Sequence, residues 1–140
     1  MKLDNSVAAI VTGGASGLGE ATARLLSNSG IRVAVFDLNE TRGEALAEEI
    51  NGIFCRTDVT DDASVVHALA RARGAHGVER ILVNCAGIAP GRRIVGRKRE
   101  TGEFIPHDMQ TFRSAIEVNL IGTFRMIAAC ATATGVRVPT

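Results

Sequence analysis

The most constraining feature of this chain is a junction near its start. Val7-Ala8-Ala9-Ile10-Val11 is a continuous apolar run, and Thr12-Gly13-Gly14-Ala15-Ser16-Gly17-Leu18-Gly19 follows it directly. A short run without polar alternation predicts a strand covered on both faces, as in parallel sheets packed between helices. Four glycines in the seven residues from Gly13 to Gly19 are more than an ordinary strand-to-helix turn needs. Glycine allows positive φ and close backbone approach, and it weakens regular elements elsewhere. At such a turn it lets free N–H groups and the helix dipole face an anion such as a pyrophosphate. The spacing is T-G-x-x-x-G-x-G rather than G-x-G-x-x-G, but the geometry asked of the backbone is the same.

The pattern then repeats. Leu18, Ala21, Leu25 and Leu26 recur near helical spacing, and Ser27-Asn28-Ser29-Gly30 ends that helix with Gly30 at C′. Ile31 to Phe36 is a second strand ending at Asp37, and Thr41 to Ile50 a second helix closed by Asn51-Gly52. Ile53 to Cys55 leads a third strand toward Asp58-Val59. Asp61-Asp62 caps a third helix with Ala63, Val66 and Ala70 on its apolar side. Ile81-Leu82-Val83 is a fourth strand, followed by Asn84-Cys85-Ala86-Gly87. Ile88 to Pro106 reads as a long loop, and His107-Asp108 open a last helix running to about Thr132. The tail Thr134 to Thr140 has little helical character. Alternating strands and helices predict a parallel sheet with right-handed crossovers. One domain, 1–140, accounts for the length, without repeat or linker.

Composition excludes several classes. With 46% apolar and 22% charged residues the chain is not disordered. A net charge of +1 gives no field for nucleic acid or an anionic membrane. Met1 to Ser6 is not a signal peptide, and no 18-residue apolar stretch is expected to span a bilayer. Three cysteines cannot form a fully paired framework, which suits a cytoplasmic, reducing setting; Cys55 and Cys130 read as core residues. His67, His76 and His107 have no partner at metal-ligand spacing. Arg92, Arg93, Arg97, Lys98 and Arg99 put five cations in eight residues, which reads first as a solvated loop.

Asp37 follows Gly19 by 18 residues, close to the spacing of the acid that accepts hydrogen bonds from an adenosine ribose. A carboxylate there repels a 2′-phosphate, and neither Ser16 nor Leu38 offers a cation to bind one, so NAD is favoured over NADP. The alternative is a helix-capping aspartate.

Thr12-Gly13-(x)3-Gly17-x-Gly19, Asp58-Val59, Asn84-Cys85-Ala86-Gly87 and Asn119 match, in order, the pattern of the short-chain dehydrogenase/reductase family. Within it the chain most resembles the type II 3-hydroxyacyl-CoA dehydrogenases, through Val83-Asn84-Cys85-Ala86-Gly87-Ile88 and Val118-Asn119-Leu120-Ile121-Gly122-Thr123-Phe124. The resemblance covers nearly all of residues 7–130. It implies a Rossmann-type, doubly wound parallel α/β sheet, truncated to about four strands in the order 3-2-1-4, with the fourth strand left as an edge. It implies that Gly13, Ser16, Gly17, Leu18 and Gly19 lie along the diphosphate of NAD, that Asp37 holds the ribose, and that Asp58 and Val59 meet the adenine. Asn84 would be a further cofactor-binding residue, Cys85 and Gly87 would flank the nicotinamide half, and Asn119 would help hold a water in a proton relay, a catalytic role. Each has a plainer alternative: Asp58 a turn residue, Cys85 a small buried side chain, Asn119 a polar group satisfied within its helix. The family's loop near the substrate entrance gives the Arg-rich segment a second reading, contact with CoA phosphates.

The family's chemistry is hydride transfer between nicotinamide and a carbonyl or alcohol, with a Tyr, a Lys four residues later and a Ser. This sequence has no Tyr, and its lysines are Lys2 and Lys98. General acid/base groups typically contribute about 10²–10⁴-fold. The chain therefore reads as the N-terminal cofactor half of an NAD-dependent dehydrogenase acting on 3-hydroxyacyl-CoA or a related secondary alcohol. The alternative is a catalytically inactive NAD-binding module. Ile116, Leu120, Phe124 and Ile127 recur along the last helix, partly to cover the sheet and partly, by resemblance, to form a homo-oligomer interface. The partners expected are thus NAD(H), an acyl-CoA or other small alcohol or ketone, and further copies of the chain, not nucleic acid or membrane.

Overall fold

In the computed structural model, which describes residues 2–133, each apolar run becomes a strand. The tail from Thr134 lies outside the described residues. Strands β1 (Ala8–Thr12), β2 (Arg32–Asp37), β3 (Ile53–Arg56) and β4 (Ile81–Asn84) form a parallel sheet in the order β3-β2-β1-β4. This is the expected 3-2-1-4 order of a truncated Rossmann sheet. Helices α1 (Gly17–Asn28), α2 (Glu40–Glu49) and α3 (Asp62–His76) make the crossovers.

Pleating sends alternate side chains to opposite faces. Ala9, Val11, Val33 and Val35 meet Ala23 of α1 and Leu46 and Ala47 of α2. Ile10, Ala34 and Phe36 meet Val65, Ala68, Leu69 and Ala72 of α3 together with Met126 and Cys130. Both faces are covered, which is why the runs contain no polar alternation. Gly30, at φ +82°, ends α1, and Asp61 caps α3 by accepting from the Ala63 N–H, both as expected.

Several details differ from expectation. The α3 stripe is Val65, Ala68, Leu69 and Ala72, whereas Ala63, Val66 and Ala70 face solvent. The buried set contains the larger continuous stripe at i, i+3, i+4 and i+7, and that stripe wins the sheet face. In α1, Leu18 and Leu25 are likewise exposed, and the small Ala23 makes the close contact with the sheet. The segment 88–106 is not all loop: β5 (Val95–Arg97) and β6 (Phe104–Pro106) pair antiparallel, with the Arg97 guanidinium over the Phe104 ring. The last helix is divided into α4 (Met109–Ile116), a π-helical segment (Glu117–Gly122) and α5 (Thr123–Ala133).

Ile116, Leu120, Phe124 and Ile127 do not cover the sheet; all four are exposed, and Met126 and Cys130 face the core instead. The run Met109–Ala133 also corrects the expectation about long apolar stretches. It is long and apolar enough to cross a membrane by length and composition, an 18-residue stretch within it having a mean hydropathy of 1.3. Its composition exceeds what a one-sided packing helix needs because a second apolar stripe lies on the uncovered side. β4 has the same character: among the described residues it pairs with β1 alone, and it is half-buried along its length.

Candidate functional site

The carboxyl ends of β1, β2, β3 and β4 open onto a crevice of about 440 Å³. In open α/β sheets this is where ligands bind. Gly13, Ser16, Gly17, Leu18 and Gly19 form one wall, Asp37, Asp58 and Val59 a second, and Cys85 and Gly87 a third. Asn84 is not among the lining residues: its Oδ1 accepts from the Thr12 hydroxyl at 3.4 Å.

The glycine turn is shaped by contacts that a side chain would destroy. A Cβ on Gly19 would lie 2.1 Å from the Gly13 carbonyl oxygen, and one on Gly13 would lie 2.6 Å from the Ala86 nitrogen. Gly17 differs, with φ +53° and open space where a Cβ would stand. The helix that follows begins without a side-chain cap: Ser16 occupies the N-cap position, but its hydroxyl makes no capping bond. Asn39, Asp61 and Asp108 all cap their helices with side-chain oxygens. The first turn of α1 therefore keeps N–H donors and the positive end of its dipole available at the crevice. Glu20, in that turn, is turned away into pairs with Arg24 and Arg42.

Asp37 links the turn to the end of β2. Its Oδ2 accepts from the Ala15 N–H at 3.0 Å and its Oδ1 from the Asn39 N–H at 2.9 Å. Asp58 takes the Thr60 hydroxyl at 2.7 Å and the Thr60 N–H at 2.9 Å on one oxygen. The Thr60 hydroxyl, then its N–H, holds the Asp58 carboxyl below the usual carboxylate range, despite partial burial. The turn-residue alternative for Asp58 is thus part of its geometry, while its second oxygen takes no bond from the described residues.

Sequence reasoning missed the part played by Thr12. Its hydroxyl accepts from the Cys85 and Ala86 N–H groups, both at 3.2 Å, and its carbonyl accepts from the Cys85 N–H at 3.1 Å. Thr12 staples the glycine turn to the segment after β4. The signal was the threonine that opens the glycine motif. Asn119 pairs through both ends of its amide with Ile88, accepting from the N–H at 2.8 Å and donating to the carbonyl at 2.9 Å. It is not satisfied within its own helix. It lies between the crevice and a second, more apolar pocket of about 650 Å³ bounded by Ile88, Ile94, His107, Met109 and Phe112. Arg92 reaches that pocket, whereas Arg97 donates to the Gly102 carbonyl and Lys98 pairs with Glu103 inside the hairpin. The basic segment therefore does not converge on one point.

The short chain dehydrogenase family model matches residues 7–135. Human 3-hydroxyacyl-CoA dehydrogenase type-2 is 40% identical over 94% of this chain and 49% of its own length. A solved short chain dehydrogenase/reductase family protein superposes with a TM-score of 0.76 at 32% identity, covering 96% of this chain and 52% of the other. A structure described as ribose-5-phosphate isomerase from Brucella melitensis 16M gives a TM-score of 0.78 at 32% identity, over 93% and 47% respectively. The chain spans about half the length of the curated relatives it matches. Glycine turn, strand order and family match agree, and the chain belongs to the short-chain dehydrogenase family.

Proposed function

We propose that the crevice holds NAD(H), and that the chain is the cofactor-holding part of an oxidoreductase acting on a 3-hydroxyacyl-CoA or related secondary alcohol. The observation that carries this reading is the open N-terminus of α1, the one of the four helices α1–α4 without a side-chain cap, lying behind the glycine turn. A pyrophosphate there would accept from the free N–H groups and meet the helix dipole. When bound, the nicotinamide supplies a hydride donor or acceptor.

The chain's own residues bind and orient. Asp37 is held by two backbone amides, so its remaining lone pairs are aimed without further ordering at ribose hydroxyls, and its charge opposes a 2′-phosphate. The free oxygen of Asp58 can accept from an adenine amino group. Cys85 and Gly87 line the other end of the crevice, and Asn119 keeps the adjoining Ile88 backbone in place. Oδ1 of Asn119 retains a lone pair for a water.

The alternative, an NAD-binding module inactive by itself, is favoured for these 140 residues by the absence of Tyr. Both readings suit a reducing cytoplasm, and the exposed α4–α5 stripe leaves a surface for a further copy. A fluorescence titration with NADH tests the shared claim. Saturable binding is expected, with NADPH weaker and Asp37→Ala weakened about tenfold, as for a charge-assisted hydrogen bond. No binding would overturn it. Reduction of NAD⁺ by these residues with a 3-hydroxyacyl-CoA would overturn the inactive reading.

A further inference from the structure

One helical run grips both ends of the crevice. At the Gly87 end, Asn119 holds the Ile88 backbone. At the Asp58–Val59 end the grip comes from Gly122 and Arg125. Gly122 packs so closely on Val59 that a Cβ there would lie 2.7 Å from Val59 Cγ2 and 3.2 Å from the Val59 carbonyl oxygen. Arg125 Nη1 donates to that same carbonyl at 2.6 Å. Its other nitrogens reach Asp62 at the start of α3 and, at 3.4 Å, Glu117 in the π segment. The guanidinium fork is thus held on three separate elements, a geometry lysine cannot reproduce. Val59 is 7% exposed and lines the crevice beside Asp58.

We propose that Arg125 is a positioning residue for the adenosine end of the crevice, fixing the Val59 carbonyl and with it the Asp58–Val59 wall. The inference rests on the proposed dinucleotide site. A wall held before binding needs no ordering when ligand arrives, so its stiffness appears directly in affinity. Of the crevice lining, Arg125 bonds to Val59, so its effect is confined to the half of the ligand that meets that wall. Asn119, two turns away, serves the opposite half.

Fragment binding to the full chain separates the two halves, with ADP-ribose reporting the adenosine end and reduced nicotinamide mononucleotide the other. Arg125→Ala is expected to weaken ADP-ribose about tenfold, the scale of one lost charged hydrogen bond. The mononucleotide should stay within about twofold, the range of a distant substitution. Arg125→Lys is expected to fall between, with about a threefold loss for ADP-ribose alone, since a cation is kept without the fork. If Arg125→Ala does not melt cooperatively, Arg125→Lys carries the test. Equal weakening of both fragments, or no change in either, overturns the inference and leaves the dinucleotide site standing. Failure of the unaltered chain to bind either fragment defeats the site itself, and the inference falls with it.

Discussion

Of the strand-to-helix connections at the carboxyl edge of the sheet, the first and the last are built by opposite means. Between β1 and α1 the connection is residues 13–16, and Gly13 packs directly on the Cys85–Ala86 backbone. Between β4 and α4 it is residues 85–108, with a hairpin of its own, a basic segment and an apolar pocket. The short connection delivers a helix with an open N-terminus; the long one delivers a helix closed by Asp108. The difference teaches where the ligand's binding energy is expected to originate. The short turn pairs its own Gly14 and Ala15 amides and leaves the first donors of α1 uncapped, where the proposed anion would meet them. The long connection ends in Asp108, which takes the Gln110 and Thr111 donors of α4.

Substitutions can break this contrast, beginning with the largest effect. Gly19→Ala places a methyl 2.1 Å from the Gly13 carbonyl oxygen, so backbone must move. The expected cost is about 3 kcal/mol or more by urea unfolding, with NADH binding lost as well. The helical run that follows the long connection is anchored by an ion pair beneath α5. Glu79, 3% exposed, takes Arg73 at 2.6 Å and 2.9 Å, and Arg73 also donates to the Ala129 carbonyl. Removing one partner of a buried pair strands the other, so Glu79→Ala is expected to cost about 3 kcal/mol.

That second effect depends on pH. Burial pushes the Glu79 carboxyl up, but Arg73, the residue's own backbone amide and the Cys130 thiol together hold it below its ordinary value of 4.5. A carboxyl lowered in the folded state stabilises fully above that ordinary value and loses the contribution as pH falls through the folded one. The difference in Tm between the native chain and Glu79→Ala should therefore be constant near neutrality and shrink below about pH 4.5. A difference that grows on acidification would contradict the assignment.

The smaller effects sharpen the comparison. Asp108 accepts from the Gln110 and Thr111 N–H groups, and Asp108→Ala is expected to cost about 1 kcal/mol, the usual worth of a cap. NADH affinity should not change, because that helix end is not the proposed anion site. Gly91, in the long connection, has open space around the position of a Cβ. Gly91→Ala should alter stability by less than about 0.5 kcal/mol. A Gly91→Ala as damaging as Gly19→Ala would erase the distinction between the two connections.

What could be read from the residues follows the same division. β1, β2 and their crossovers were legible because Val7–Val11 and Ile31–Phe36 are buried on both faces and the glycine turn is a local requirement. Asp37, Asp58 and the glycines were placed in one crevice because strand ends in a 3-2-1-4 sheet converge. The hairpin at Val95–Arg97 and Phe104–Pro106 was not legible: each strand has three residues, and pairing across the turn decides it. The π segment had no local signal, since Glu117–Gly122 reads as ordinary helix and the contacts of Asn119 and Gly122 distinguish it. The α3 stripe was read in the wrong rotation because Val66 and Val65 are chemically alike and only packing chooses between them. Asn84, which the motif names, ends β4 and accepts from the Thr12 hydroxyl, a contact its position in the motif does not announce.

The central claim is that the uncapped start of α1 receives the ligand's anion. Backbone amide hydrogen exchange, measured with and without NADH, tests it at the donors themselves. The account expects slowed exchange at residues 16–19, with the capped starts of α2, α3 and α4 unchanged. Protection absent from 16–19, or confined to the pocket between Ile88 and Phe112, would contradict it.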